Sequence, residues 1–192
     1  RAEQLADDWV LDNARCCCEC CANIAHGQWN HRLNLLSGAA KYADLVEIEA
    51  YNAALSGISL AGTEYFYRNP LMVTKQNRNN PHSGVRTRYL FCCPAKLPGF
   101  VAGISRWIYV RGDQGIYVNL YIGGEATIEL PAGSVKLTQA TRYPWDGDVA
   151  FTMELEQPAT FDLCLRIPGW ARGRPFPSDL YRVADPSPVD VK

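Results

Sequence analysis

Apolar positions along this chain follow two different periods, and the change comes near residue 106. Before it the spacing is helical. Ile24, Trp29, Leu33 and Leu36 recur at intervals that stripe one helix face, and Gly38 stands where a C-terminal cap belongs. A second helix is predicted over 40–56, with Tyr42, Leu45, Val46, Glu49 and Leu55 at similar intervals and Gly57 closing it. Residues 59–67 read as a hairpin turning at Ala61-Gly62, with aromatic residues on its second arm. The polar, proline-punctuated run 75–83 reads as a surface loop. A short helix is predicted from about Leu97 to Arg106, led by Cys92-Cys93-Pro94 and with Pro98 near its first turn.

Beyond residue 106 the period shortens to that of strands. Segments 107–111 and 116–122 flank Gly112-Asp113-Gln114-Gly115, a hairpin signal. Segments 126–130, 134–141, 149–155 and 160–167 follow at close spacing, separated by Gly, Pro and Asp. Such regular short strands predict an antiparallel sandwich. Residues 171–192 are rich in proline and read as an extended tail. The expected class is therefore α+β, divided as 1–106 helical, 107–170 β-sandwich and 171–192 tail. Two or three helices do not bury their apolar faces alone, so the first part reads as a piece of a larger helical body whose beginning lies outside this sequence.

Composition narrows the function. With 47% hydrophobic and 20% charged residues, the 192-residue chain has the make-up of a globular protein. A formal net charge of -1, without basic runs, argues against nucleic-acid or anionic-membrane partners. No apolar stretch approaches the ~20 residues of a membrane span. The chain starts at Arg1 and carries no visible signal peptide. Self-association stays open as a homo-oligomer.

Cysteine placement changes the picture most. Cys16, Cys17, Cys18, Cys20 and Cys21 form one cluster and Cys92 with Cys93 another, while Cys164 sits in an apolar strand and is expected in the core. Neighbouring cysteines are poor partners for one another, because vicinal disulfides are strained. Bunched thiols fit a reducing, cytoplasmic setting and metal or catalytic use better than a disulfide framework. Zinc favours four ligands in a tetrahedron and accepts Cys sulfur and carboxylate oxygen. Glu19, Cys21, Cys92 and Cys93 would supply such a set, and zinc would hold the thiols as nucleophilic thiolates. A purely structural zinc, inert buried thiols and a disulfide-stapled domain remain the other readings.

Among the remaining polar residues, Glu3 alone reads as a solvated carboxylate, although such a group near a thiolate can act as general acid/base. Glu47 and Glu49 read as solvated or salt-bridged, and His26, His31 and His82 show no ligand spacing. Tyr65, Phe66 and Tyr67 make an aromatic strand of the kind found in cores and, less often, in sugar sites.

In order along the chain, E-C-C-A-N-I-A with Trp29 and Arg32, K-Y-A-D-L-V-E, G-I-S-L-A-G, Y-F-Y-R-N-P-L, F-C-C-P, I-Y-V-N-L-Y-I, Y-P-W and R-I-P-G-W resemble glycoside hydrolase family 127, the retaining β-L-arabinofuranosidases. The resemblance implies a partial (α/α)6 catalytic barrel followed by a β-sandwich. It implies Zn2+ on Glu19, Cys21, Cys92 and Cys93, with Cys92 as nucleophile and Glu3 as acid/base. Tyr67 falls where the family has a substrate-pocket tyrosine. The implied substrate is a plant-derived arabinose-containing oligosaccharide or glycoside. A non-catalytic, zinc-stabilised module contacting a glycan or protein partner is the alternative.

Overall fold

A computed structural model describes residues 10, 12–14, 18–75, 92–113, 115–177 and 184. The architecture is α+β, helices first and strands after, as the two periods predict. The chain divides into two compact units. One comprises Arg1–Leu33 with Leu45–Gly103, the other Asn34–Asp44 with Ile104–Lys192. No helix among the described residues is long and apolar enough to cross a membrane.

Helix α1 runs Cys20–Ser37 and ends at Gly38, whose φ of +65° supplies the left-handed turn expected of a C-terminal cap. Its buried stripe differs from the predicted one. Cys20, Ile24, Gly27, Asn30 and Asn34 are buried, whereas Trp29 and Leu36 are exposed and Leu33 is half-buried. Periodicity fixes the spacing of a stripe, but a helix with apolar residues on several faces leaves the choice of face to its neighbours. The buried amides are satisfied: Asn30 donates to the His26 carbonyl at 2.9 Å and Asn34 to that of Ala39 at 3.2 Å.

Helix α2 covers Ala40–Ile48, shorter than the predicted 40–56. The path continues as a π-helical segment, Glu49–Ala54, and a 3-10 turn, Leu55–Gly57. The Leu55 N–H reaches back five residues to the Ala50 carbonyl, widening the helix. Gly57 does not close the helix through a left-handed φ. Its missing side chain serves packing, because a Cβ there would lie 2.5 Å from the Cys20 sulfur.

The expected hairpin over 59–67 is reduced to a turn and one bridge, Ile58 with Tyr65. The Ser59 N–H donates to the Glu64 carbonyl at 2.9 Å, and Gly62, at φ +70°, makes the corner. Helix α3 spans Cys93–Gly103, starting about four residues before the predicted helix. Pro94, not Pro98, occupies its first turn, where a missing N–H costs nothing. Pro98 lies inside the helix and leaves the Pro94 carbonyl without its i+4 donor. The predicted loop 75–83 lies outside the described residues except Lys75, as does nearly all of the tail after Pro177.

In the second unit, β1 (Tyr109–Arg111), β2 (Gly115–Val118) and β6 (Asp162–Leu165) form one sheet in the order β1-β2-β6. Strands β3 (Gly124–Leu130), β4 (Gly133–Thr141) and β5 (Val149–Leu155) form a second, antiparallel sheet. One pair departs from the antiparallel expectation: β6 runs parallel to β2, with Ile116 opposite Leu163. The intervening sheet makes β6 return from the far end, so a hairpin geometry is not available to it. Ile116, Leu130, Val135 and Leu137 form a core drawn from both sheets, with Tyr109, Phe151 and Phe161 packed on it.

That unit also encloses an ion pair that sequence patterning does not reveal. Arg166 Nη1 lies 2.6 Å from Asp44 Oδ1, both side chains are nearly inaccessible, and the Gly169 N–H donates to the same oxygen at 3.1 Å. Arg166 Nε donates to the Asn119 carbonyl, and the Tyr121 hydroxyl donates to the carbonyl of Arg166. Each charge is hydrogen-bonded, the condition under which a buried pair is tolerated.

Candidate metal centre

The first ligand segment is extended before it becomes helical. Residues 18–20 lie against 67–69: the Asn69 N–H donates to the Cys18 carbonyl at 3.1 Å and the Cys20 N–H to the Tyr67 carbonyl at 3.2 Å, with Glu19 bridged to Arg68. The chain then turns into α1, and the Glu19 carbonyl accepts the N–H groups of Ala22 and Asn23. Glu19 thus caps the helix with its side chain buried, and Cys21 follows within the first turn.

The second segment is built alike. The Cys92 carbonyl accepts the N–H groups of Ala95 and Lys96 at 3.1 and 2.9 Å, so Cys92 caps α3 and Cys93 is its first residue. Cys92 has φ +56°, the single non-glycine residue with positive φ among those described. Such a conformation costs free energy in a residue with a Cβ and concentrates at functional sites.

The two caps converge. One oxygen of Glu19 and the sulfurs of Cys21, Cys92 and Cys93 all lie within 4.8 Å of one another. The Cys92 and Cys21 sulfurs are 3.1 Å apart, the Cys21 sulfur is 3.7 Å from Glu19 Oε2, and the Cys21 N–H donates to the Cys93 sulfur at 3.3 Å. Zinc–sulfur bonds of ~2.3 Å in a tetrahedron require sulfurs ~3.8 Å apart, so small side-chain adjustments suffice to close this set on an ion. The buried Glu19 Oε1 has no hydrogen-bond partner among the described residues. An orphaned carboxylate oxygen beside three thiols is costly unless a cation completes it. Donor chemistry and geometry therefore both fit a divalent thiophilic metal.

Comparison with known proteins identifies the family. Residues 2–106 match the β-L-arabinofuranosidase GH127 catalytic domain, and residues 115–179 match the GH127 middle domain. The chain belongs to glycoside hydrolase family 127. The non-reducing end β-L-arabinofuranosidase of Bifidobacterium longum subsp. longum is 34% identical over 180 residues, 89% of this chain and 27% of that protein. A GH127 β-L-arabinofuranosidase from Geobacillus stearothermophilus T6 superposes with a TM-score of 0.73 at 39% identity, covering 81% of this chain and 25% of its own. A second GH127 β-arabinofuranosidase gives 0.83 at 36% identity, with 94% and 27% covered. The chain thus spans about a quarter of the length of these relatives.

Within this GH127 chain, burial raises the thiol of Cys21, and the neighbouring sulfurs of Cys92 and Cys93 raise it further. Burial likewise pushes Cys93 up, against the opposing N–H of Cys21. Without a cation these two groups are protonated at neutral pH, so a metal is what would make them thiolates. The four ligands differ in access. Glu19 and Cys93 are buried, Cys21 is half-buried and Cys92 is exposed. A reactant reaches Cys92 first.

The other sequence candidates separate around this centre. Glu3 lies outside the described residues, as do Cys16, Cys17 and His82. Tyr67 is held beside the ligand segment through its carbonyl. Cys20 belongs to the core: its thiol is fully buried, pushed up to about 12 chiefly by that burial, and donates to the Phe66 carbonyl at 3.2 Å. Cys164, expected in the core, is half-buried. Glu47 is buried rather than solvated, whereas Glu49 pairs with His26 at 2.7 Å. The pairing of 18–20 with 67–69 has no sequence signal, because three residues are too few to show a period.

Proposed function

We propose that this chain is part of a retaining glycoside hydrolase that removes terminal β-L-arabinofuranosyl residues from plant-derived arabinose-containing oligosaccharides or glycosides. Residues 1–106 belong to its catalytic barrel, 107–170 to a β-sandwich and 171–192 to a tail. The observation that carries this reading is the convergence of Glu19, Cys21, Cys92 and Cys93 in a GH127 chain with Cys92 the accessible sulfur.

Zn2+ on Glu19, Cys21, Cys92 and Cys93 would supply positive charge that keeps Cys92 ionised near neutral pH. The Cys92 sulfur attacks the anomeric carbon while Glu3 gives its proton to the departing glycosidic oxygen. The carbon–oxygen bond breaks as the carbon–sulfur bond forms, leaving a thioglycosyl enzyme. Glu3, now a carboxylate, takes a proton from water, whose oxygen displaces the sulfur. Two inversions return the sugar with retained configuration, and Cys92 is regenerated. Tyr67, fixed beside Cys20, offers a hydroxyl to the sugar.

A second reading has its own support. Glu19, Cys21, Cys92 and Cys93 already supply four protein donors, the number that structural zinc takes, and a quarter-length chain can hold such an ion without turning anything over. Incubation with nitrophenyl β-L-arabinofuranoside separates the two. The catalytic reading expects nitrophenol release, a pentosyl adduct on the Cys92 peptide and loss of turnover in Cys92→Ala with the fold kept. Turnover that survives Cys92→Ala overturns it. A chain that binds zinc and releases no nitrophenol favours the structural reading.

A further inference from the structure

The spacing within the centre points to a second chemistry. At 3.1 Å the Cys21 and Cys92 sulfurs are closer than a zinc–thiolate tetrahedron places them, and only ~1 Å beyond a disulfide bond. The alternatives are worse placed. Cys93 is buried and its sulfur takes the Cys21 N–H, and a bond between adjacent Cys92 and Cys93 closes a strained ring. Cys20 is buried and its thiol is engaged by the Phe66 carbonyl. Of the four ligands, Cys92 alone is exposed to a small oxidant.

We propose that the metal-free centre is a redox switch, in which hydrogen peroxide joins Cys92 to Cys21 in a reversible disulfide that abolishes metal binding. This rests on the metal-centre reading, since the bond removes two of the four ligands and the exposed thiol together. The Cys92 sulfur attacks one peroxide oxygen, the O–O bond breaks, and sulfenic acid and water result. The Cys21 sulfur then attacks the sulfenic sulfur, and the leaving hydroxide departs as water with the Cys21 proton. Two thiols lose two electrons and two protons, and one peroxide becomes two waters. Dithiothreitol reverses the change. With both sulfurs held on an ion ~3.8 Å apart, Cys21 is not free to close the disulfide, so metal and cross-link compete for the same pair.

The test starts from reduced, metal-free chain treated with one equivalent of hydrogen peroxide under non-reducing conditions. Free thiols are expected to fall from eight to six per chain, with the lost pair mapped by mass spectrometry to Cys21 and Cys92. Zinc affinity should drop at least tenfold, and dithiothreitol should restore both. The cross-link should persist in Cys93→Ser and vanish in Cys21→Ser, where Cys92 stops at sulfenic acid and is trapped by dimedone. Prior loading with zinc should slow cross-linking at least tenfold. Sulfenic acid that persists on Cys92 in wild-type chain without a cross-link, or a cross-link to any other cysteine, overturns the proposal. Zinc binding to the reduced chain is measured independently. A chain that binds zinc yet forms no Cys21–Cys92 bond defeats the switch and leaves the metal centre standing. A chain that forms the bond and binds no zinc defeats the metal centre instead.

Discussion

Gly57→Ala tests whether packing behind the ligands positions the centre. A Cβ at residue 57 would sit 2.5 Å from the Cys20 sulfur, 3.6 Å from its Cβ and 3.7 Å from Leu97 Cδ2. Only the first contact is a clash. Reaching 3.4 Å requires the sulfur to retreat by about 0.9 Å (3.4 less 2.5). It has nowhere to go, because Cys20 is fully buried and donates to the Phe66 carbonyl. Overpacking of this kind costs about 1–3 kcal/mol, which in a domain of this size lowers the melting temperature by ~2–4 °C per kcal/mol. Cys20 lies between Glu19 and Cys21, so its displacement also moves two ligands. Zinc affinity, read by competition with a chromophoric chelator, is expected to fall at least tenfold. The decisive comparison is the double-mutant cycle with Cys20→Ala. Removing the sulfur removes the clash, so the double variant should be more stable than the sum of the single losses predicts, by about 0.5–3 kcal/mol. Additive losses, or a Gly57→Ala variant with unchanged melting and zinc affinity, would refute the reasoning.

Asp44→Ala leaves the Arg166 guanidinium buried without its counter-charge and should cost about 3–5 kcal/mol in urea unfolding; pairing it with Arg166→Met should recover part of that loss. Glu19→Gln replaces an acceptor-only carboxylate by an amide and should weaken zinc binding while leaving far-UV circular dichroism intact. Zinc affinity should rise with pH, because the raised thiols of Cys21 and Cys93 hold protons that the metal must displace. At least two displaced protons predict a gain of at least about a hundredfold per pH unit between about pH 6 and pH 8. A flat profile in chelator competition would show that the thiols are already ionised.

Sequence alone carried the α+β order of elements, because a change in apolar period from helix to strand survives any arrangement in space. It carried the candidate set Glu19, Cys21, Cys92 and Cys93, which the fold brings within reach of one another, because clustered thiols with a carboxylate beside them are rare enough to be informative. It did not carry the side of α1 that is buried, since Trp29 and Leu36 are spaced for a stripe as well as Ile24 is, and only packing leaves them exposed. The same limit hid the parallel pairing of β6. Tertiary structure decided what spacing has no access to: that a segment near residue 20 and one near residue 92 meet at two helix starts, that Gly57 exists to make room for a sulfur, and that Asp44 finds Arg166. These are contacts between residues far apart in the chain, set by how folded elements pack, and a one-dimensional pattern contains no distance across space.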